Sequence, residues 1–330
     1  MPFASDILGH AAQVAMLSRA LEQGRLHHAY VFIGPEGVGK RALAYGLGKA
    51  IHCGEAAHDY CGGCASCVKI DNRNHPDVRL IEPLPGKKEI SIEQVRTLEK
   101  ELNYRAFSGK KKIGIIDPAT LMNLPAQNAL LKTLEEPPAD SVLILIAASA
   151  GGLLPTLLSR CLRLSFAPLP SAEVARYLVE QKGLSSEQAA LVAAVSLGSL
   201  GRALSPEMAE LAAQRAEWID QIAAMRETAG WAALAEELAK ERADAIRFLE
   251  WLAEWYRDVV IYRVTGNVEM IGNSDLAGKL SAEAAKTTVD DALRLRAAAL
   301  ETAARIRRNV NRRMALENVF TEIAGLAARD

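Results

Sequence analysis

The sequence predicts an α/β protein with a doubly wound parallel sheet, followed by a region made only of helices. Short runs of β-forming residues alternate with helical patterns as far as Phe166, which is typical of a parallel sheet. A glycine-rich loop, Gly34–Lys40, follows the first of these strands, as phosphate loops do in such sheets. All four tryptophans lie after Pro206, the last proline of the chain, and apolar residues there recur at helical spacing.

The phosphate loop is the central feature of the predicted sheet. The strand Tyr30–Ile33 leads into GPEGVGK, which fits G-x-x-x-x-G-K, a loop whose backbone N–H groups and lysine bind nucleotide phosphates. The candidate ligands of ATP or ADP are Gly34, Gly37, Gly39 and Lys40. The motif normally continues with Ser or Thr, whose hydroxyl binds magnesium, but this chain has Arg41. Two alternatives stay open: a working nucleotide site, or a loop of this shape that binds nothing productive.

Asp117 is a further candidate for the nucleotide site, because it directly follows the predicted strand Ile113–Ile116. A strand ending in aspartate at this distance after a phosphate loop is typical of the Walker B motif, where the carboxylate holds magnesium. Active ATPases place a glutamate next, to orient the attacking water, whereas this chain has Pro118. Proline can neither accept a proton nor position water, so the pattern favours a degenerate nucleotide site.

Four cysteines form a candidate metal site with the spacing C-x7-C-x2-C-x2-C. They are Cys53, Cys61, Cys64 and Cys67. Two cysteines separated by two residues can aim both sulfurs at one ion, and four thiolates suit tetrahedral zinc. An iron–sulfur cluster and free core cysteines are the alternatives, but the ferredoxin spacing is absent and Gly62 and Gly63 argue against a core. We expect a structural zinc ion in a small insertion over residues 53–67, since four protein ligands leave no open position.

Composition bounds the location of the protein. The 330 residues carry a net charge of −1 and half are apolar, so there is no general attraction to nucleic acid. Ser141–Ser159 is uncharged and long enough for a membrane helix, but glycines and a proline interrupt it and favour a buried strand. Five cysteines without an export signal favour the cytoplasm and reduced thiols, and we expect no membrane association.

The sequence after the predicted sheet divides at prolines. Pro168 and Pro170 indicate a linker, and short helices follow, one from Ser171 and one capped by Ser185 with Gln188. The prediction is therefore three domains, the last of them all-helical: residues 1–166, 167–207 and 208–330.

Several motifs occur together in the order and spacing of a known family. They are His27–Tyr30, Gly34–Lys40, the four cysteines, Asn74–Asp77, Ala126–Pro138 and Ser159–Cys161. On these residues the chain resembles the delta-prime subunits of the bacterial DNA polymerase III clamp loader, which are AAA+ proteins. The resemblance implies a RecA-like AAA+ module with a zinc-binding insertion, then a small helical lid over 167–207 and an all-α collar over 208–330.

The resemblance also implies partners and a mode of action. The collar would join this chain to motor (gamma/tau) and delta subunits in a five-membered ring within the DNA polymerase III holoenzyme. That ring uses ATP held by the motor subunits to open the sliding clamp and place it on primed DNA.

An ATP-hydrolysing motor subunit of the same loader is the main alternative, because it shares the cysteine module and the Ser-Arg-Cys motif. Arg41 and Pro118 argue against it. So do Ala147–Ala148, where a polar sensor is expected, and Gly201, at the lid position of an ATP-sensing arginine. An unrelated P-loop enzyme such as a nucleotide kinase shares only the loop. We therefore expect a subunit that does not hydrolyse ATP by itself.

Arg160, in the Ser-Arg-Cys motif, receives its predicted role from the resemblance. In this family that arginine points out of its own subunit toward the nucleotide of a neighbour and acts as an arginine finger in trans. From the residues alone, a loop arginine paired with a local carboxylate is the simpler interpretation.

Overall fold

The computed structural model describes residues 7–108, 110–225, 231–308 and 310–327. The chain forms two compact units. The first contains the residues up to Glu173 together with Gly198–Gly201, and the second contains Val174–Leu197 together with the residues from Arg202 onward. The finer division into lid (167–207) and collar (208–330) stays a prediction.

The first unit is built on a five-stranded, fully parallel sheet with the strand order β2-β3-β4-β1-β5. The strands are β1 Ala29–Ile33, β2 Val78–Ile81, β3 Lys112–Ile116, β4 Ser141–Ala147 and β5 Leu162–Ser165. This order and direction confirm the predicted doubly wound sheet. The strand β1 lies between β4 and β5, so the loop that follows it leaves the carboxyl edge where ligands bind in such sheets.

The central strands β1, β3 and β4 are buried on both faces, which explains why they are nearly continuous apolar runs. Along β4, the side chains of Val142, Ile144 and Ile146 belong to one hydrophobic cluster. The alternate residues, Leu143 and Leu145, belong to the cluster on the opposite face. Helices cover each face, and their bounds in this unit are α1 Ala11–Glu22, α2 Lys40–His52, α3 Ala65–Asp71, α4 Ile92–Asn103, α5 Leu124–Glu135 and α6 Pro155–Leu158.

Local capping residues begin several of these helices. At α4, Ser91 and Gln94 form the predicted capping box, in which the side chain of each residue accepts a hydrogen bond from the backbone N–H of the other. At α5, the side chain of Asn123 accepts a 3.0 Å hydrogen bond from the N–H of Ala126. Short 3₁₀ turns at Ala119–Leu121 and Ala150–Gly152 complete this part of the chain.

From Ser171 onward the described residues contain helices and no strand, as predicted. The helices are α7 Ser171–Lys182, α8 Ser186–Val195, α9 Leu200–Ala203, α10 Pro206–Met225, α11 Trp231–Ala239, α12 Arg242–Thr265, α13 Ala277–Lys286, α14 Val289–Arg307 and α15 Arg312–Ala327. Leu252, Trp255 and Val259, which recur at helical spacing, are buried on α12. Within the described ranges, no helix is both long and apolar enough to cross a membrane.

Candidate functional site

The phosphate loop leaves β1 at the carboxyl edge of the sheet and ends where α2 begins. The N–H of Gly34 donates a 3.2 Å hydrogen bond to the carbonyl oxygen of Ala147, at the end of the neighbouring strand β4. Gly37 has φ +73° and Gly39 has φ +110°, which are left-handed conformations that side chains disfavour. The four predicted residues therefore form one loop, with Lys40 as the first residue of the helix.

Lys40 is bonded to the loop itself. Its Nζ donates hydrogen bonds to the carbonyl oxygens of Gly34 and Pro35, the latter at 2.5 Å. The residue is only 6% exposed. Burial lowers its pKa, and the nearby carboxylates of Asp117 and Glu36 only partly oppose that effect. The ammonium group that would contact phosphate oxygens is thus already bonded to carbonyl groups of its own loop.

Arg41 is the residue that differs most from what a magnesium site requires. Its Nε donates to Asp117 Oδ2 at 2.5 Å, and its Nη2 lies 2.7 Å from Glu82 Oε1. Burial alone would lower the pKa of Arg41, but its bonds with Asp117 and the charge of Glu82 raise it overall. The residue that replaces the magnesium-binding hydroxyl therefore brings a permanent cation against the carboxylate expected to hold magnesium.

Sequence reasoning does not single out Glu82, although one signal was available. Ile81 pairs with Ile116 in parallel register, so Glu82 and Asp117 are the next residues along two adjacent strands. Carboxylates at the same carboxyl edge of a parallel sheet lie close together. A cation at position 41 can therefore bridge them.

The backbone segment around Gly201 closes on the same loop. The N–H of Gly201 donates to the carbonyl oxygen of Gly37 at 2.9 Å. A Cβ atom at Gly201 would lie 2.9 Å from the Cα of Gly37, so this contact requires glycine. His10, which sequence reasoning also misses, donates from Nε2 to the carbonyl oxygen of Val38 at 2.9 Å. At the position where an ATP-sensing arginine is expected, this chain therefore has Gly201, whose backbone N–H bonds the loop.

The four predicted cysteines converge. Their sulfur atoms all lie within 4.8 Å of one another, and Cys53 Sγ is 3.9 Å from Cys64 Sγ. All are free thiols. In a tetrahedral zinc–thiolate centre with Zn–S bonds of about 2.3 Å, sulfur atoms lie about 3.8 Å apart. The N–H of Cys64 also points at Cys61 Sγ, at 3.2 Å. These residues fit a metal ion and do not form a disulfide.

The surroundings of the four thiols differ. Backbone N–H groups of Gly54 and Cys67 lower the pKa of Cys64 to about 6, which favours the thiolate that binds metals. Burial raises the pKa of Cys67 to about 12. Cys53 and Cys67 are buried members of a hydrophobic core cluster, so the core-cysteine alternative describes their packing but not the convergence of the four sulfurs.

A second group of potential metal ligands, His52, His75 and Asp77, is buried next to the cysteines. The carboxylate of Asp77 accepts hydrogen bonds from the N–H groups of Phe107 and Ser108 at 2.8 and 2.9 Å. Nδ1 of His75 accepts the N–H of Asp77 at 3.1 Å, so its proton is on Nε2 and neither ring nitrogen offers a lone pair. These bonds give Asp77 and His75 a structural explanation, whereas Nε2 of His52 is buried without a hydrogen-bond partner among the described residues.

Arg160 follows the short helix α6 and has a partly exposed side chain. Its Nη2 donates to Glu135 Oε1 at 2.7 Å, and its Nη1 donates to the carbonyl oxygen of Thr156 at 2.8 Å. The pairing with a local carboxylate that the residues alone suggest is therefore present. Sequence reasoning does not identify Glu135 as this partner, although both residues lie in the motifs that carry the family resemblance.

Two family models match the chain. The model "DNA polymerase III, delta subunit" covers residues 9–170, and "DNA polymerase III, delta subunit, C terminal" covers residues 209–325.

Three similar proteins illustrate the relationship. DNA polymerase III subunit delta' of Pseudomonas aeruginosa is 31% identical over 95% of this chain and 97% of its own length. The delta' subunit of Bacillus subtilis is 31% identical over 90% of each chain. The tau/gamma subunit of Haemophilus influenzae is 35% identical but matches only 61% of this chain and 30% of its own length. The likeness to delta' thus extends through both units, and the chain belongs to the family of DNA polymerase III delta' subunits.

Proposed function

We propose that this chain is a non-catalytic subunit of the DNA polymerase III clamp loader. It assembles with motor (gamma/tau) and delta subunits and helps them load the sliding clamp onto primed DNA. The observation that carries the non-catalytic assignment is the ion pair of Arg41 with Asp117 and Glu82. Phosphoryl transfer depends on a correctly held magnesium ion and a positioned water, and this pair uses the carboxylate that would hold the metal.

Three further features support the same assignment. Pro118 cannot orient a water molecule, and Ala147 ends β4 without a polar side chain. Lys40 is bonded to carbonyl groups of its own loop. An ATP-hydrolysing motor subunit remains the alternative, favoured by the shared loop and by the likeness to tau/gamma, which covers 61% of this chain.

Arg160 is our candidate for the contribution that this chain makes to catalysis. Charge on the transferring phosphoryl oxygens is stabilised by a rigid, always-charged, forked donor, which arginine provides. An arginine finger supplied in trans is worth about 10³–10⁵ in rate in GTPases. Arg160 is partly exposed on the unit that carries the phosphate loop, and we propose that it acts at the ATP of a neighbouring motor subunit.

We also propose that Cys53, Cys61, Cys64 and Cys67 hold one structural zinc ion as thiolates. The convergence of the four sulfurs supports this ligand set. Four protein ligands would complete the tetrahedral coordination, so the ion would stabilise residues 53–67, the cysteine knuckle, and would have no catalytic role.

The test of the function is the ATPase activity of the reconstituted clamp loader in the presence of primed DNA and clamp. With Arg160→Ala we expect slower ATP hydrolysis at one motor site and impaired clamp loading, although other sites can still hydrolyse ATP. Arg160→Lys keeps the charge but loses the fork, so it should rescue little. Arg163→Ala, an exposed arginine three residues away, is the matched control and should behave like the wild type.

The isolated chain is assayed in parallel and should not hydrolyse ATP. Turnover by the isolated chain that disappears in Lys40→Ala would support the motor alternative instead. Unchanged ATPase activity and clamp loading in the Arg160→Ala loader would rule out the arginine-finger role. The chain would then have only a structural role.

A further inference from the structure

We propose that Glu135 is a positioning residue for Arg160, and that it holds the guanidinium in the orientation needed to reach the nucleotide of the neighbouring subunit. This inference rests on the proposed role of Arg160 as a finger in trans. The observation that motivates it is the 2.7 Å ion pair between Arg160 Nη2 and Glu135 Oε1.

The guanidinium is held at two points. Nη2 bonds Glu135, while Nη1 bonds the carbonyl oxygen of Thr156 at 2.8 Å and lies 3.4 Å from Ser159 Oγ. Within the described residues, these contacts engage the two terminal nitrogens of Arg160 and leave its Nε edge without a protein partner. An arginine side chain presents several N–H donors in a rigid fork, so an edge that stays open can still bind phosphate oxygens.

The two partners of Arg160 are fixed relative to each other by packing. Glu135 is the last residue of α5, and Thr156 lies in α6. The buried side chain of Gln127 on α5 accepts a 2.9 Å bond from the N–H of Leu154 and donates to the carbonyl oxygen of Gly152 at 3.2 Å. The residues Leu130, Leu134 and Leu157 of the same two helices pack in one hydrophobic cluster. The carboxylate therefore stands at a defined place beside the arginine.

The position of Glu135 also argues for a role beyond helix formation. A negative side chain in the last turn of a helix opposes the helix dipole, so this position favours Lys or Arg instead. The cation of Arg160 offsets that cost. Arginine has many rotamers, and holding it in one of them before the neighbour arrives reduces the entropy lost when it engages the nucleotide.

The side chains of Glu135 and Arg160 are 54% and 36% exposed. This exposure limits how much the ion pair can change the rate at the adjacent ATP site. Exposed ion pairs are weak, so the neighbour's phosphate can compete for the guanidinium. We therefore expect removal of the carboxylate to slow the adjacent ATP site by about two- to fivefold, much less than removal of the arginine.

The experiment measures DNA-stimulated ATP hydrolysis by the reconstituted loader as a function of ATP concentration. It compares loaders that carry the wild-type chain or one of four variants: Glu135→Ala, Glu135→Gln, Glu136→Ala or Arg160→Ala. Positioning predicts that Glu135→Ala lowers kcat and leaves KM unchanged. It also predicts that Glu135→Gln retains most of the rate, because the amide oxygen still accepts from Nη2. Glu136, the exposed neighbour of Glu135, is the matched control and should be replaceable without effect.

Thermal unfolding of each isolated variant checks that it folds, which we expect because Glu135 is exposed. If Arg160→Ala slows the loader but Glu135→Ala does not, the positioning role is wrong and the finger stands. A faster rate in Glu135→Ala would mean that the carboxylate restrains the arginine, and equal losses in Glu135→Gln or Glu136→Ala would also overturn positioning. If Arg160→Ala has no effect, the finger assignment fails and the inference fails with it.

Discussion

The phosphate loop and the cysteine knuckle lie at opposite ends of the same helix, α2, and they differ in what their polar groups face. At the start of the helix, Lys40 and Arg41 are bonded to groups of this chain. Just after its end, Cys53 joins three other free thiols that point toward a common centre. Each site matches a sequence motif, but the charged side chains of the loop are already bonded within the chain, whereas the four thiols of the knuckle converge in an arrangement that fits a metal ion. A motif predicts the backbone geometry of a site, whereas the residues that pack around it decide what the site can bind.

The largest effect that we expect concerns the knuckle. Purified protein should contain about one zinc ion per chain, and Cys64→Ser should lose it. Structural zinc binding is worth about 10–16 kcal/mol in small zinc domains and is coupled to local folding. We therefore expect Cys64→Ser to unfold the segment around residues 53–67. The measurements are metal analysis and amide hydrogen exchange, which should show faster exchange in that segment than in the sheet.

Cys161→Ser is the matched control for the knuckle, since Cys161 is the fifth free cysteine and lies outside the cluster. This variant should keep its zinc. Wild-type protein without zinc, or with a disulfide among the four cysteines, would contradict the contrast between knuckle and loop.

The fold and the knuckle could be predicted because their signals are local. The strands β1 and β3 begin one residue before the predicted runs Tyr30–Ile33 and Ile113–Ile116 and end with them, and the four ligands of the knuckle come from one short segment. The closure of the phosphate loop could not be predicted in full. Arg41 indicates a lost magnesium ligand, but its partner Glu82 lies far along the chain, and so does Gly201, which bonds Gly37. Such contacts arise from the tertiary fold: Glu82 and Asp117 each follow a strand, but the order of strands in the sheet makes them neighbours.

The second prediction changes the loop rather than the knuckle. In Arg41→Thr, the loss of the guanidinium leaves Asp117 and Glu82 without their ion pair and restores a hydroxyl at the magnesium position. We expect nucleotide binding to become magnesium-dependent by about tenfold or more, which corresponds to about 1.4 kcal/mol. ATP turnover should remain absent because Pro118 is unchanged. Isothermal titration with ADP, with and without magnesium, measures this effect.

Arg41→Lys is the control for this change, because it keeps a cation near Asp117 and should bind nucleotide with little dependence on magnesium. The wild-type chain should behave in the same way. If the wild type already binds nucleotide only with magnesium, the guanidinium of Arg41 does not replace the metal. The loop would then need a metal ion, as we propose for the knuckle.

The third effect concerns Asp77, which lies with His52 and His75 in the buried group of metal-binding residue types. Like the lysine and arginine of the phosphate loop, Asp77 is bonded within the chain. Burial alone would raise the pKa of Asp77 above its ordinary 3.8. Hydrogen bonds from Ser108 and Phe107 outweigh burial, with help from Lys112, whose Nζ lies 3.5 Å from the carboxylate, and the pKa is lowered. The carboxylate therefore stabilises the fold above pH 3.8. That contribution decreases as the pH falls below 3.8 toward the folded-state pKa, because the unfolded chain takes up the proton first.

Asp77→Asn tests this interpretation. The asparagine keeps one acceptor oxygen but sets an NH₂ group against a backbone N–H, so we expect a loss of about 1–3 kcal/mol at pH 7. Urea unfolding of wild type and variant from pH 7 to pH 3 should give a constant difference down to about pH 5 and a smaller one below 3.8. Loss of zinc in acid affects both proteins alike, so their difference reports on Asp77. Zinc content should be one ion per chain in both. If the wild type held a second zinc ion that Asp77→Asn removes, this group would be a metal site. The phosphate loop would then be the one of these three sites whose charged side chains are bonded within the chain.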